Sequence, residues 1–442
     1  VQLLKQFSAL LFVRWVLLTS SFLVGILVTR FLGPEGKGLL TVIVTAATLL
    51  SVVCNFGLPT AALYLYKQER NSIVQLLVAA LMFWFVVVIL VTLLLLVFHD
   101  PFTVLLLGEL QVSEFKPLWL GFMILLMPGF LVSSLLSVLL VIDGHNRTYI
   151  VWNILGQCIG LCLAVVLIVW MQLGVTGALL ANVAVQFFTL GMAGFWIIRL
   201  ARHETLRFSW TTLRDMLRIG SQQYAISIVA NVLKRGETFL LAMLLNLQAV
   251  GLYAVAVGIY ELIIDVPRAL VWPITGKVAG HEVTDKGAYI LISMRLQIVV
   301  ILILIIAVAL LIPPLIPLAY GEAFRASATV FVLLLPGVLF RTIHLGASSY
   351  FAAVGQPGML FWCLVAATVT NIVLDLVMIP HLGVNGAAVA TVVAEAVLAF
   401  TSAKLLLRTI GRRWGESLIV QRSDLTLVLQ NVTMQLRRGD RS

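Results

Sequence analysis

Apolar runs about 20 residues long recur from one end of this chain to the other, and that constrains its fold more than any single residue does. About 20 apolar residues in a helix span the hydrocarbon core of a bilayer, where every backbone polar group must be satisfied within its own helix. Twelve such runs are marked, at about 9–32, 38–66, 73–98, 116–142, 148–171, 175–198, 218–245, 249–276, 289–313, 326–353, 358–379 and 383–407. Of the 442 residues, 61% are hydrophobic and 11% charged, a balance that no soluble core could bury. The sequence predicts an all-α membrane protein. The first run is too long for a signal peptide, carries Arg14 and lacks a small-residue cleavage site, so it is read as a span.

The chain also repeats itself. Gly174-Val175-Thr176-Gly177-Ala178 returns as Gly383-Val384-Asn385-Gly386-Ala387, a shift of 209 residues. Gly38-Leu39-Leu40 is echoed by Gly251-Leu252-Tyr253 at 213, and Gly144-His145-Asn146 by Gly355-Gln356-Pro357 at 211. Six spans lie in each half, so both halves enter the membrane in the same sense. A pseudo-two-fold axis along the membrane normal is expected between two six-helix lobes, and paired repeats of this kind point to transport by relative motion. The expected division is an N-lobe at 1–198, a cytoplasmic connection at 199–217, a C-lobe at 218–407 and a basic tail at 408–442. Within that tail, residues 425–436 alternate apolar and polar as a strand or the start of a further domain would.

Charge sets the orientation. With the N-terminus in the cytoplasm, 19 of the 29 Lys and Arg fall on inner segments and three on outer ones. Both termini are therefore expected inside. The net charge of +10 then reflects topology and contact with anionic lipid, and calls for no nucleic-acid partner. The outer loop at 99–116 is acidic.

Ionisable residues inside spans are costly and mark cavities, partners or pathways. The first half offers Arg14 and Arg30, and no carboxylate within a span. The second half offers Lys234, Arg235, Glu237, Glu261, Asp265, Arg268, Arg295, Arg341, His344, Asp375 and Glu395. Glu261, Asp265 and Arg268 share one helical face, as do Arg341 and His344. Arg14, Arg30 and Arg295 lie near helix ends, where a side chain can snorkel instead. Arg268 can neutralise Asp265, and Glu237 can pair with Lys234. The substrate-binding candidates are Arg14, Arg30, Arg235, Arg268 and Arg341; the coupling candidates are Glu237, Glu261, Asp265, His344, Asp375 and Glu395. Arg341, Glu395 and at least one other arginine are expected to line a central cavity. Cys54, Cys158, Cys162 and Cys363 all fall in apolar stretches and read as small core residues. Asn146-Arg147-Thr148 fits a glycosylation sequon on the cytoplasmic side and reads as incidental. No nucleotide-binding loop or hydrolase motif occurs, so the chain is read as no enzyme, and transport is expected to be driven by an ion gradient, with H+ or Na+ as the coupling ion, by substrate supply or by partners.

Several of these segments resemble a known family. Arg30-Phe31-Leu32-Gly33-Pro34-Glu35-Gly36-Lys37-Gly38-Leu39 resembles the signature after the first helix of polysaccharide biosynthesis flippases. These are the Wzx-type O-antigen and exopolysaccharide transporters of the multidrug/oligosaccharidyl-lipid/polysaccharide (MOP) exporter superfamily. Asn55-Phe56-Gly57-Leu58-Pro59, Arg235-Gly236-Glu237 with Ala249-Val250-Gly251-Leu252-Tyr253, and the Gly383 segment resemble its later motifs. Glu237 stands where the family has Asp, and Thr238 where a second arginine is common. The resemblance implies a MATE-like fold in the inner membrane. It implies flipping of a polyprenyl-pyrophosphate-linked oligosaccharide, with a glycan polymerase and chain-length machinery as further partners. The alternatives are an ion-coupled drug exporter, a lipid II flippase, which usually carries two more helices, and a non-transporting scaffold. Cation exporters of the superfamily tend to place a carboxylate in the first helix, and none precedes Glu35.

Overall fold

The computed structural model describes residues 2–68, 72–107, 117–142, 146–201, 208–280 and 285–412, with side chains described from 24 onward save at 105, 107, 141–142, 146–147, 200–201, 222–223 and 272. Among these residues the chain is helical almost throughout, with no strand. The acidic loop beyond 107, the Gly144 echo, the strand-like segment at 425–436 and most of the basic tail lie outside the described residues.

The first helix, α1 (Gln2–Asn55), is two limbs joined at Gly33, whose φ of 68° and ψ of 177° break the helical path. Pro34 restarts the helix, since its fixed φ suits a first turn and its missing N–H is not needed there. The segment that carries the family resemblance is thus the corner between the first two spans. The second limb ends at Asn55, where Phe56 (φ 51°) and Gly57 (φ 70°) are left-handed, and α2 (Leu58–Lys67) follows. The sequence reading ran 38–66 as one helix; two consecutive left-handed residues divide it.

Next come α3 (Ile73–Val97), capped by Ser72 accepting from the Gln75 amide, and α4 (His99–Leu107), a short helix where a loop was expected. Then follow α5 (Pro117–Ile142) and α6 (Asn146–Ala164), which continues as a π turn over Val165–Trp170. α7 (Gly174–Ala201) completes the first half. The second half holds α8 (Trp210–Leu244), α9 (Leu247–Ala279), α10 (Lys286–Tyr320), α11 (Arg325–Ala353), α12 (Phe361–Leu382) and α13 (Val384–Ile410). Ten described helices are long and apolar enough to cross a bilayer. With the first limb of α1 and the more polar α8, these account for the twelve expected spans.

The echo has a structural basis. Gly174 and Gly383 are both left-handed, with φ of 53° and 59°, and each opens a helix. Three residues on, a Cβ on Gly177 would lie 3.0 Å from the Leu167 carbonyl oxygen, and one on Gly386 would overlap the Met378 carbonyl oxygen. Each glycine lets its helix start against the end of the preceding one, so the same corner is built twice.

Packing divides the chain into two compact units. The first holds Val1–Ala256, Pro314–Val330 and Ile372–Ala387; the second holds Val257–Pro313, Phe331–Asn371 and Ala388–Ser442. The cut passes through α9 to α13 and gives the first unit the start of α9, the end of α10, the start of α11, the end of α12 and the start of α13. That alternation is what an up-and-down run of spans produces. The first unit's core gathers Leu58, Leu65, Leu76, Trp84, Met127, Leu131 and Leu135. α10 is the most apolar of the described spans and almost none of its apolar stretch is buried, as a helix facing lipid should be. Cys158 and Cys162 are exposed on α6, so they face outward from the packed helices and are not core residues; Cys54 and Cys363 are buried.

Candidate functional site

Among the described residues, two clusters of polar side chains stand out within the spans, one in each unit. In the first unit, Glu237 on α8 is buried, and the Tyr253 hydroxyl on α9 donates a hydrogen bond to its carboxylate. Asp375 on α12 is wholly buried, and neither of its carboxylate oxygens has a hydrogen-bond partner among the described residues. It lies near enough to Glu237 for the two charges to interact. A carboxylate shut away from water without hydrogen bonds is among the most costly groups in a protein interior.

In the second unit, Arg341 on α11 is ion-paired with Glu395 on α13, with side chains 19% and 3% exposed. One turn along, His344 Nδ1 lies 3.3 Å from the Ser402 hydroxyl. On α9, Arg268 holds Asp265 at 2.6 Å and Glu261 at 3.5 Å. The charge of Arg341 also interacts with Glu261 and with Tyr260. Gly337 makes room for the Tyr260 hydroxyl, which would lie 2.7 Å from a Cβ at that position. Asp265, Arg268, Glu261, Arg341 and Glu395 therefore form one charged set. Its described ion pairs join two guanidinium groups to three carboxylates.

The sequence candidates are thus sorted. Glu237 and Asp375 come together in the first unit. Arg341, Glu395, Glu261, Asp265 and Arg268 come together in the second, with His344 beside Arg341. Arg30 is exposed at the end of the first limb of α1, and Arg235 is half-buried on α8. The side chain of Arg14 is not among those described. Arg295 is buried in α10 and does not snorkel. Among the described residues no three His, Cys, Asp or Glu converge as a metal site would require. Tyr253, Tyr260 and Ser402 were not singled out from the sequence. Tyr253 stood within a quoted motif, but a hydroxyl in an apolar run carries no periodic signal. An uncharged cavity of about 90 Å³ also lies between α5, α6 and α7, lined by Tyr149, Trp152, Asn153 and Gln157 among others.

Residues 3–275 match the family described as polysaccharide biosynthesis protein. The chain belongs to that family. No curated protein matches its sequence significantly. Among solved structures, the fold is similar to the lipid II flippase MurJ in an inward closed conformation, at TM-score 0.73 and 12% identity, over 92% of this chain and 87% of that one. It is also similar to an inward-facing multidrug resistance MATE family transporter of the MOP superfamily, at TM-score 0.70 and 16% identity, over 89% and 94%. A MOP superfamily transporter from Pyrococcus furiosus, whose binding pocket is described as having reversed polarity, matches at TM-score 0.62 and 15% identity, over 90% and 93%. Family and fold agree with the sequence reading of a multi-pass membrane protein with a MATE-like arrangement of helices.

Proposed function

We propose that this protein flips a polyprenyl-pyrophosphate-linked oligosaccharide, the repeat unit of an O-antigen, exopolysaccharide or capsule, from the cytoplasmic to the outer leaflet of the inner membrane. The observation that carries the reading is the match to the polysaccharide biosynthesis protein family over residues 3–275. The fold supports it, since the lipid II flippase MurJ, whose name gives it a lipid-linked cargo, shares the architecture. The mechanism is alternating access, with the lipid tail left in the bilayer while the glycan crosses between two six-helix lobes at about 1–198 and 218–407.

Two roles are assigned within the reading. Glu237 and Asp375, with Tyr253, are the coupling site: a proton or Na+ bound there offsets the cost of two buried carboxylates, and its release makes the site change shape. The pyrophosphate contact is assigned to Arg30, exposed at the end of the first limb of α1, and to Arg14, whose side chain lies outside the described residues, because Arg341 and Arg268 are already engaged by carboxylates. Anionic lipids and glycan polymerase or chain-length proteins are the expected partners.

A drug or cation exporter is the second reading. The three carboxylates gathered around Arg341 and Arg268, namely Glu261, Asp265 and Glu395, favour it, since carboxylates within the spans would attract a lipophilic cation. Deletion of the gene in its native host separates the two. The flippase reading expects lipid-linked oligosaccharide to accumulate and surface glycan to vanish, with both restored by the wild-type gene. Unchanged glycan together with a gain in sensitivity to cationic drugs would favour the exporter.

A further inference from the structure

The Gly38 and Gly251 segments echo each other at a shift of 213, and the structure puts these two glycines against one another. A Cβ on Gly38 would overlap the carbonyl oxygen of Leu247 and come 3.1 Å from the Gly251 nitrogen. A Cβ on Gly251 would overlap the carbonyl oxygen of Pro34 and come 3.1 Å from the Gly38 nitrogen. Leu247 precedes Gly251 by four residues, and Pro34 precedes Gly38 by four. Each glycine therefore meets the same backbone atoms of the other half, so the local two-fold axis passes between them. The second limb of α1 and the first turns of α9 touch backbone to backbone, a contact only small residues permit. Val42 and Val255, each four residues beyond its glycine on the same helical face, are buried beneath the crossing.

We propose that the Gly38–Gly251 crossing is the outer seal of the transport cycle, a two-fold latch that closes by direct backbone contact and must part once in each turnover. The proposal rests on the transporter reading, and on the charge bias that puts this end of the helices away from the basic segments. A contact made of two flat glycine faces can close without gaps and separate without stranding a buried charge. A methyl group at either position overlaps a carbonyl oxygen, so the helices must stand apart, and the state with this end open becomes the favoured one. A second close approach lies toward the other end of α8, where a Cβ on Gly220 would come 2.6 Å from the Phe56 carbonyl oxygen. It does not relate equivalent positions of the two halves, and it serves as a control.

The test uses the full-length protein in cells, with Cys54, Cys158, Cys162 and Cys363 replaced by Ala and Val42→Cys as reporter. The readout is the rate of labelling by a membrane-impermeant maleimide added outside. Gly38→Ala and Gly251→Ala are each expected to raise that rate about tenfold, by shifting the population toward the outward-open state. Gly36→Ala is expected to leave it unchanged, because its Cβ meets only the Leu32 and Val175 side chains, at 3.1 Å or more. Gly220→Ala, acting at the other end, is expected not to raise it. Unchanged labelling in both Gly38→Ala and Gly251→Ala would overturn the proposal. An equal rise in Gly36→Ala or Gly220→Ala would also overturn it, by showing general loosening. If both seam variants failed to reach the membrane while Gly36→Ala did, the crossing would be static packing and the proposal would be lost. Labelling needs no glycan. A shift in labelling together with unchanged surface glycan in the deletion strain itself would therefore sink the flippase reading and leave the seal standing.

Discussion

The Arg341–Glu395 pair gives the sharpest test of how charge is managed inside this protein. Its side chains are 19% and 3% exposed, so little water screens them. Replacing Glu395 with Gln leaves a buried guanidinium without its counter-charge. Breaking one partner of a buried pair costs ~3–5 kcal/mol, whereas replacing both with apolar residues of similar size is often neutral or stabilising. At ~2.1 cal/mol/K per residue, a chain of 442 residues unfolds with an entropy near 0.9 kcal/mol/K. Glu395→Gln should then lower the midpoint of thermal unfolding in detergent by about 3–5 °C. The double variant Arg341→Met/Glu395→Leu should recover to within about 1 °C of the parent or above it. Fluorescence-detected size-exclusion chromatography after heating measures all three proteins in parallel. A Glu395→Gln protein as stable as the parent, or a double variant less stable than the single, would refute the reasoning. Glycan export by the stable double variant then reports whether the pair serves transport or only the fold.

Other outcomes follow from the same geometry. Asp375→Asn and Glu237→Gln should each abolish the dependence of export on the proton or sodium gradient while leaving protein levels near normal, measured in vesicles with an imposed gradient; retention of that dependence in both variants would remove the coupling role. Gly386→Ala should cost ~1–3 kcal/mol of stability by overpacking, and Gly177→Ala less, because its Cβ has 3.0 Å to the nearest carbonyl oxygen while that on Gly386 overlaps one; equal thermal shifts would contradict this. Arg14→Ala and Arg30→Ala should impair glycan export in a complementation assay, with Lys replacements milder if charge alone matters and nearly as harmful if a bidentate fork is needed. Full export by the Arg14→Ala/Arg30→Ala double variant would remove the pyrophosphate contact assigned to them.

Spans were legible because a bilayer imposes length and apolarity on every helix that crosses it. Ends and breaks were less so. The 38–66 helix is interrupted at Phe56, where a non-glycine residue takes a left-handed conformation that no periodicity announces. The Gly174 and Gly383 echo was visible because both copies need the same two glycines, one for a left-handed turn and one for close approach. The weaker Gly38 and Gly251 echo held the most information, since the two positions touch each other. Pairing by helical period was also readable: Glu261, Asp265 and Arg268 share a face and a network. Pairing across helices was not. Nothing in the sequence joins Arg341 to Glu395, or Asp375 to Glu237, because those contacts depend on how α8, α11, α12 and α13 pack. The same limit explains why the arginines read as an open anion site while two of them are held by carboxylates.

Cargo identity is the central claim, and native mass spectrometry of the protein released from membranes of its own host addresses it most directly. The flippase account expects a bound species with the mass of a polyprenyl pyrophosphate bearing one oligosaccharide repeat, lost when the first glycosyltransferase of that repeat is deleted. Bound phospholipid alone in both strains, with no polyprenyl species in either, would contradict it.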